Sequence, residues 1–312
     1  MWNSEQKCKR LDEKMYLCAD MRKILFIVNP ISGGKKKDGI LGSIRQRMDE
    51  GRLEGEIRLT TGPGDAEKWA READVDVVAA VGGDGTVSEV GRGLIGSRKA
   101  LGIIPCGSGD GLALHLGISR TVSKALDVLS DGVVTAIDYA EVDGQPFFCT
   151  IGVGLDALVA QKFAASPRRG VETYIEEAWR TWQHFRPETY RIRVDGQEQV
   201  FPAVFVTVGN VNQWGNEARI TSLASVTDGL LDVAVVHPFH IVEIPLLATQ
   251  LMDGHAHRSH RVTMLRGRRV SIIREAAGPA HVDGDPLEMG AEINAEIVPG
   301  GLRAVVPTKN RL

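Results

Sequence analysis

No stretch of this chain approaches the roughly 20 consecutive apolar residues that a bilayer-spanning helix needs. The first twenty residues, with four basic and four acidic side chains, do not have the form of a signal peptide. Cysteine is scarce: Cys8, Cys18, Cys106 and Cys149 form no CxxC pair and no disulfide-dense framework, which favours a reducing, cytoplasmic setting. Net charge is also small, −3, which argues against a nucleic-acid binder held by a broad basic surface. There is no internal repeat, low-complexity tract or long flexible linker. The expectation is a soluble protein, at most peripheral to a membrane, and 312 residues favour two domains over one.

What the chain does have is glycine at chosen places. The run VAAVGGDGTVSEV (78–90) is an apolar stretch that ends abruptly in Gly82-Gly83-Asp84-Gly85-Thr86 and then takes a helical pattern. Glycines let the backbone approach an anion closely, and a helix start offers unpaired N–H groups and a positive dipole end. A second such turn, Pro105 to Gly111, follows another strand, and an earlier one, Asn29 to Gly34, follows the first strand. One glycine turn is a weak signal; three on successive strands point to a nucleotide site. Asp84 could hold a magnesium ion or a substrate hydroxyl.

From Lys23 the pattern alternates. Strands are expected at 24–28, 56–60, 75–81 and 100–105, with helices near 38–50, 65–73, 86–95, 111–116 and 121–130, which is the signature of a parallel sheet covered on both faces. Ligands then gather at the carboxyl ends of the strands, where all three glycine turns lie. After about residue 133 the segments become strand-like, with hairpin signals at Val142-Asp143-Gly144 and Val194-Asp195-Gly196. This half reads as a mainly β domain, a sandwich, interrupted by two helices near 171–185 and 240–252. Residues 1–20 carry no clear element and read as an extension.

These motifs, in this order, resemble those of the bacterial diacylglycerol kinase and lipid kinase family, whose catalytic domain is shared with sphingosine kinases: NPISGG (29–34), GGDGTVSEV (82–90), GIIPCGSGDGLALHLGI (102–118), GVGLDA (152–157), TDGLLDV (227–233) and VDGDP (282–286). The resemblance covers Met21 to Pro307. It implies a phosphofructokinase-like α/β nucleotide domain over 21–135, a β-sandwich lipid domain over 136–301, and a final segment, 302–312, that returns to the first. ATP, magnesium and a lipid acceptor, diacylglycerol or a sphingoid base, would meet in the cleft between them.

By the same resemblance the phosphate cradle comprises Asn29, Ser32, Gly33, Gly82, Gly83, Gly85, Thr86, Gly107, Ser108 and Gly109, with Thr61 and Glu89 beside the nucleotide. Asp84 would organise the phosphates or act as base, and Asp283 is the other candidate base. Asp228 and Asp285 would serve the metal, and Asp156 the lipid headgroup. Three positions depart from the family pattern, and the two larger changes are Asp285, where Glu is usual, and Asp110, where Asn is usual. The second adds a negative charge that repels a triphosphate unless a cation or proton intervenes. Ser88 stands where Asn is common, a milder change.

Blander readings accompany several of these residues. VDGDP and the Asp228-Gly229 pair are turn sequences that hairpins use anyway, and Asp156 could be a buried, satisfied carboxylate. His255, His257 and His260 lack an ordered fourth ligand for a metal. The apolar stretch 241–252 suits core packing as well as an acyl-chain groove or membrane contact, and one of Lys35, Lys36 and Lys37 could touch phosphate. Rival readings are a kinase for a soluble substrate, related to NAD kinase or phosphofructokinase, and a non-catalytic nucleotide or lipid binder. Oligomeric state is left open, a homo-oligomer included.

Overall fold

The computed structural model describes residues 21–34, 37–166, 171–215 and 217–308. The extension 1–20, Lys35, Lys36 and the end of the expected return segment, 309–312, lie outside the described residues. Four parallel strands open the chain: β1 (Lys23–Val28), β2 (Glu54–Leu59), β3 (Val77–Gly82) and β4 (Ala100–Pro105). β3 and β4 are buried at every position and β1 at all but its first, which is why they read as unbroken apolar runs. Edge strand β2 is only partly covered and carries charge. Helices α1 (Asp38–Asp49), α2 (Asp65–Glu72), α3 (Asp84–Leu94), α4 (Gly111–His115) and α5 (Val122–Asp131) connect and flank them.

The rest of the chain is mainly β. It comprises β5 (Val133–Val142), β6 (Gln145–Phe147), β7 (Thr150–Gly154), helices α6 (Leu155–Ala165) and α7 (Val171–Trp182), β8 (Glu188–Val194), β9 (Gln197–Ala203), β10 (Phe205–Gly209) and β11 (Leu231–Val236). Helix α8 (Ile244–Met252) then precedes β12 (Val262–Gly267), β13 (Arg269–Ile273), β14 (Gly278–Val282), β15 (Asp285–Met289) and β16 (Glu292–Val306). Helix α6 has no counterpart in the pattern reading. Its apolar residues fall on more than one side, because Leu155, Ala157 and Val159 are buried while Ala160 and Phe163 line a cleft.

The two halves are built on one continuous sheet. Its ten strands run β2-β1-β3-β4-β16-β13-β8-β9, with β5 on β16 and β6 on β5. Strand β16 makes this possible: its first part pairs antiparallel with β13, its register on β5 shifts between Val298 and Leu302, and Ala304 then pairs parallel with Leu101 of β4. The second sheet, β12-β11-β10-β7-β14-β15, is antiparallel throughout. It packs on the β half of the first, where Ala140, Ile192, Ile272 and Ile293 meet Ile151, Val206 and Val233 in one buried cluster.

Asp138 on β5, only 3% exposed, ties this junction together. Its carboxylate accepts the amides of Gly300, at the shift in β16 (2.7 Å), and of Gly229, before β11 (2.8 Å). Replacing it leaves two amides without partners where water is largely excluded. We expect Asp138→Ala to lower the unfolding free energy by about 2–4 kcal/mol in denaturant titrations, and Asp138→Asn to lower it by less. A loss under about 0.5 kcal/mol for the alanine variant contradicts this role.

Candidate active site

The glycine turns after β1, β3 and β4 lie side by side. A Cβ on Gly107 would come within 2.6 Å of Gly83 Cα, and one on Gly33 within 1.9 Å of the Cys106 carbonyl, so both contacts require glycine. Helix α3 begins at Asp84, directly after Gly83, so its unpaired N–H groups open where the turns meet. The turns form one wall of a cleft of about 540 Å³. Ser32, Gly33, Gly83, Asp84, Gly85, Gly107, Ser108 and Gly109 line that wall. Thr150, Asp156, His281, Asp283 and Asp285 line the opposite wall, and Ala160, Phe163, Ile175, Trp214 and Met252 add an apolar flank.

Asn29, Thr61, Thr86 and Glu89 line a second hollow of about 160 Å³ at the same strand ends. All four side chains are already engaged, and Asn29 Nδ2 donates to the Thr86 hydroxyl (3.3 Å). Thr61 donates its hydroxyl to Asp65 (2.8 Å), and the Glu89 carboxylate accepts the amides of Gly64 (3.1 Å) and Ala66 (3.3 Å) at the start of α2. Gly82 ends β3 beneath the turn and lines neither hollow.

Asp84 fastens two turns to each other: its carboxylate accepts the amides of Asp110 (2.8 Å) and Gly111 (2.7 Å). Burial and the neighbouring Asp110 charge push its carboxyl up to about 6. Asp110 is the residue whose added charge the sequence flagged. It sits in the left-handed region (φ 52°), its side chain is 1% exposed, and its carboxylate accepts the Gly107 amide (2.8 Å). The intervening cation is Arg120, whose Nε lies 3.0 Å from Asp110 and whose Nη2 donates to the carbonyls of Ser108 (3.1 Å) and Gly109 (2.7 Å). The guanidinium thus neutralises the departure and turns those carbonyls toward itself. Lys37 adds positive charge nearby, and its buried ammonium has no hydrogen-bond partner among the described residues. Lys35 and Lys36 lie outside the described residues.

On the opposite wall, Asp283 occupies the first left-handed position of the β14–β15 hairpin (φ 50°), followed by Gly284 at 87°. The hairpins at Asp143-Gly144 and Asp195-Gly196 have the same geometry, and their carboxylates also accept amides, from Asn294 and from Arg268 and Arg269. Asp283 goes further. Its oxygens accept the amides of Phe148 (3.0 Å), Cys149 (2.7 Å) and Thr150 (3.2 Å) and the hydroxyl of Ser88 on α3 (2.9 Å). Burial raises its carboxyl, and these four donors oppose the rise. Ser88 therefore links the glycine-turn wall to the second sheet. Asp285 stands at the rim of the cleft, and its carboxylate has no hydrogen bond among the described residues; partial enclosure by the cleft walls raises its pKa, while Arg92 and His281 oppose that.

The structure does not bring Asp228 to the cleft. Its carboxylate accepts the Leu230 amide (3.1 Å) and pairs with Arg266, which also binds the buried Asp232 (3.0 Å). Of the histidines near 255–260, His257 lies on Ser222 (2.9 Å) with the His255 ring 6.1 Å away, and His260 lies on Glu243 (3.1 Å). Among the described residues no cluster of three or more His, Cys, Asp or Glu side chains forms a metal cage. Arg120 and His281 escaped the sequence reading. The unbalanced charge on Asp110 was the only signal for Arg120, and nothing in the spacing marked His281.

Arg120→Ala strands the Asp110 charge beneath the turn. It should weaken ATP binding about tenfold, roughly 1.4 kcal/mol, by calorimetry. Combining Asp110→Asn with Arg120→Gln should bring affinity back to within about threefold of the parent. Equal losses in the single and double variants contradict the compensation.

Comparison with known proteins agrees with this arrangement. Residues 23–142 match the family model of the diacylglycerol kinase catalytic domain, and residues 149–306 match that of the YegS C-terminal NAD kinase beta sandwich-like domain. The chain is 27% identical over 286 residues to the diacylglycerol kinase of Bacillus subtilis (strain 168), covering 89% of this chain and 93% of that protein. It is 29% identical over 303 residues to a probable lipid kinase YegS-like protein of Citrobacter koseri, with coverage of 89% and 95%. A crystal structure described as a candidate diacylglycerol kinase from Bacillus anthracis superposes with a TM-score of 0.77 at 25% identity, covering 93% of this chain and 99% of that one. With both domain types matched in sequence and in shape, the chain belongs to the diacylglycerol kinase and YegS-type lipid kinase family.

Proposed function

We propose that the protein transfers the γ-phosphate of ATP to the hydroxyl of a lipid, with diacylglycerol or a sphingoid base as the acceptor class. The observation that carries this reading is the pairing of two unlike walls in one cleft: glycine turns with a helix start on one side, and a polar floor with an apolar flank on the other. Phosphoryl transfer needs its charge held in place and its acceptor aligned, with little other chemistry from the protein. The amides of the three turns and the α3 N-terminus hold phosphate oxygens. Asp84 fixes the turns, and Asp283 holds the second sheet against α3 through Ser88. Magnesium, when bound with the nucleotide, neutralises phosphate charge; it keeps several waters and takes few protein ligands, which suits a site without a carboxylate cage. Asp285, exposed and unbonded at the rim, is the side chain able to reach it.

The apolar flank of Phe163, Ile175, Trp214 and Met252 favours an acyl chain over a sugar or dinucleotide. Ile175 and Trp179 on α7, Val242 just before α8 and Leu246 within it are exposed, and they supply a face for peripheral contact with the cytoplasmic side of a membrane. The compensation of Asp110 by Arg120 removes part of the motive for a non-catalytic reading.

Labelled γ-phosphate from ATP should reach dioctanoylglycerol or sphingosine in mixed micelles, and Asp84→Ala should abolish the transfer. Labelled NAD or sugar phosphate in place of a lipid product overturns the proposal. The elevated Asp84 carboxyl adds a pH signature. Below about 6 Asp84 is protonated and uncharged, so kcat/KM for ATP should rise with pH through about 6 and level off above it. Ionising Asp84 also costs folding stability across that range, because the folded state holds the proton more tightly than the unfolded chain. A pH-independent rate between 5 and 7.5 contradicts this assignment.

A further inference from the structure

The segment that follows β10 joins the two unlike parts of the cleft. Gly215 has a φ of 116°, and a Cβ there would sit 2.7 Å from Gly109 Cα, so this segment rests directly on the glycine turn after β4. Its neighbour Trp214 lines the cleft. The indole packs on Phe205 of β10, ring centroids 5.3 Å apart, against the apolar cluster that also holds Leu155 and Val159 of α6. The chain then closes on itself, with the Trp214 amide donating to the Ala218 carbonyl (2.9 Å) and the Ala218 amide to the Gly215 carbonyl (3.1 Å). The Arg219 amide donates to the Leu251 carbonyl near the end of α8 (3.0 Å). Trp214 is therefore held by the glycine turn, by β10 and by α8, and a ring already fixed offers contact area at little further entropic cost.

Helix α6 gives the cleft a direction. Asp156 in its first turn is 6% exposed; its Oδ2 accepts the Thr207 hydroxyl (3.1 Å) and lies 3.2 Å from His281 Nε2. Ala160 and Phe163 follow on the same face, about 6 Å and about 10 Å further along the axis, and both line the cleft. Ile175 of α7 and Met252 at the end of α8 line it too, but they are 61% and 49% exposed, so they mark its mouth. The cleft thus runs from a polar end at the glycine turns and Asp156 to an apolar mouth. Trp214 is the flank residue whose chain neighbour touches a glycine turn, which puts it at the inner end of the apolar surface.

We propose that Trp214 is the acceptor-positioning residue: its ring packs on the first hydrocarbon carbons of the lipid, beside the hydroxyl-bearing end, while the rest of the chain leaves the cleft past Ile175 and Met252. The inference rests on the lipid-kinase reading and adds the pose in which the lipid binds. A chain laid on a ring fixed to the glycine turn keeps its hydroxyl facing the phosphate end of the cleft, which supplies orientation without any further polar group. The same contact discriminates an acyl-bearing acceptor from free glycerol, because only the former buries hydrocarbon against the indole.

Trp214→Ala should raise KM for dioctanoylglycerol about tenfold, with kcat within about threefold and with KM for ATP and the slow transfer to water within about twofold of the parent. Trp214→Phe keeps a ring and should bring KM for dioctanoylglycerol back to within about threefold of the parent. A KM for dioctanoylglycerol within about twofold of the parent in the alanine variant overturns the inference. An equal loss in ATP affinity also overturns it, since Trp214 then serves only to support the glycine turn. The second measurement needs no turnover: tryptophan fluorescence of the parent and of Trp214→Phe with diacylglycerols brominated either next to the ester or at the chain end. The difference between the two proteins isolates Trp214, and it should be quenched more strongly by bromine next to the ester. Equal quenching by both lipids, or none, overturns the inference even if lipid phosphorylation is intact. A parent enzyme inactive on every hydroxyl lipid, with the ester-side quenching still present, instead discards the kinase reading and leaves Trp214 as an acyl-binding residue.

Discussion

The carboxylate of Asp84 holds the amides of Asp110 and Gly111, and the shape of the glycine-turn wall depends on that pair of bonds. The strands deliver three turns to one edge of the sheet, and the β3–β4 pairing, which runs to Gly82 opposite Pro105 with the Cys106 amide on the Gly82 carbonyl, leads Gly83 and Gly107 into backbone contact. Asp84 fixes the turn beyond that point, at the cost of burying a carboxylate, and the neighbouring Asp110 charge makes that cost larger. Arg120 offsets it. The same guanidinium binds the carbonyls of Ser108 and Gly109, so the peptide units above it present a consistent face to the cleft.

The opposite wall has a comparable logic. Asp283 gathers the amides of Phe148, Cys149 and Thr150 and reaches Ser88 on α3. Asp138 joins β5 to the shift in β16 and to the loop before β11. Both carboxylates therefore hold backbone rather than exposed ligands, and both lie at places where the parallel half meets the sandwich. Because one sheet runs through both halves, the cleft is bounded by elements that share a core, and the distance between its walls is set by packed strands.

Much of the first half is legible in the sequence because each signal there is local. β1, β3 and β4 are apolar runs, and each leads within a few residues into a glycine-bearing turn. The hairpins at Asp143 and Asp195 are equally local, and both adopt the left-handed pair that Asp-Gly favours. Helix α6 was hidden because its apolar residues face two surroundings, a sheet and a cleft. The continuity of the ten-stranded sheet was hidden because β16 pairs with strands far from it in sequence. Site residues divide the same way: the glycine turns announce themselves, whereas Arg120, Ser88 and His281 acquire their partners only through folding. Asp228 is a motif aspartate whose place the sequence could not give: its partners, Leu230 and Arg266, lie away from the cleft.

The central claim is that three separate turns act as one phosphate site. Amide hydrogen exchange of the protein with and without magnesium and ATP tests it most directly. The account predicts slower exchange together in 29–34, 82–86 and 107–111, with the sandwich cavity around 273–279, lined in part by Arg274 and Pro279, unchanged. Protection confined to one turn, or appearing at 273–279 instead, contradicts it.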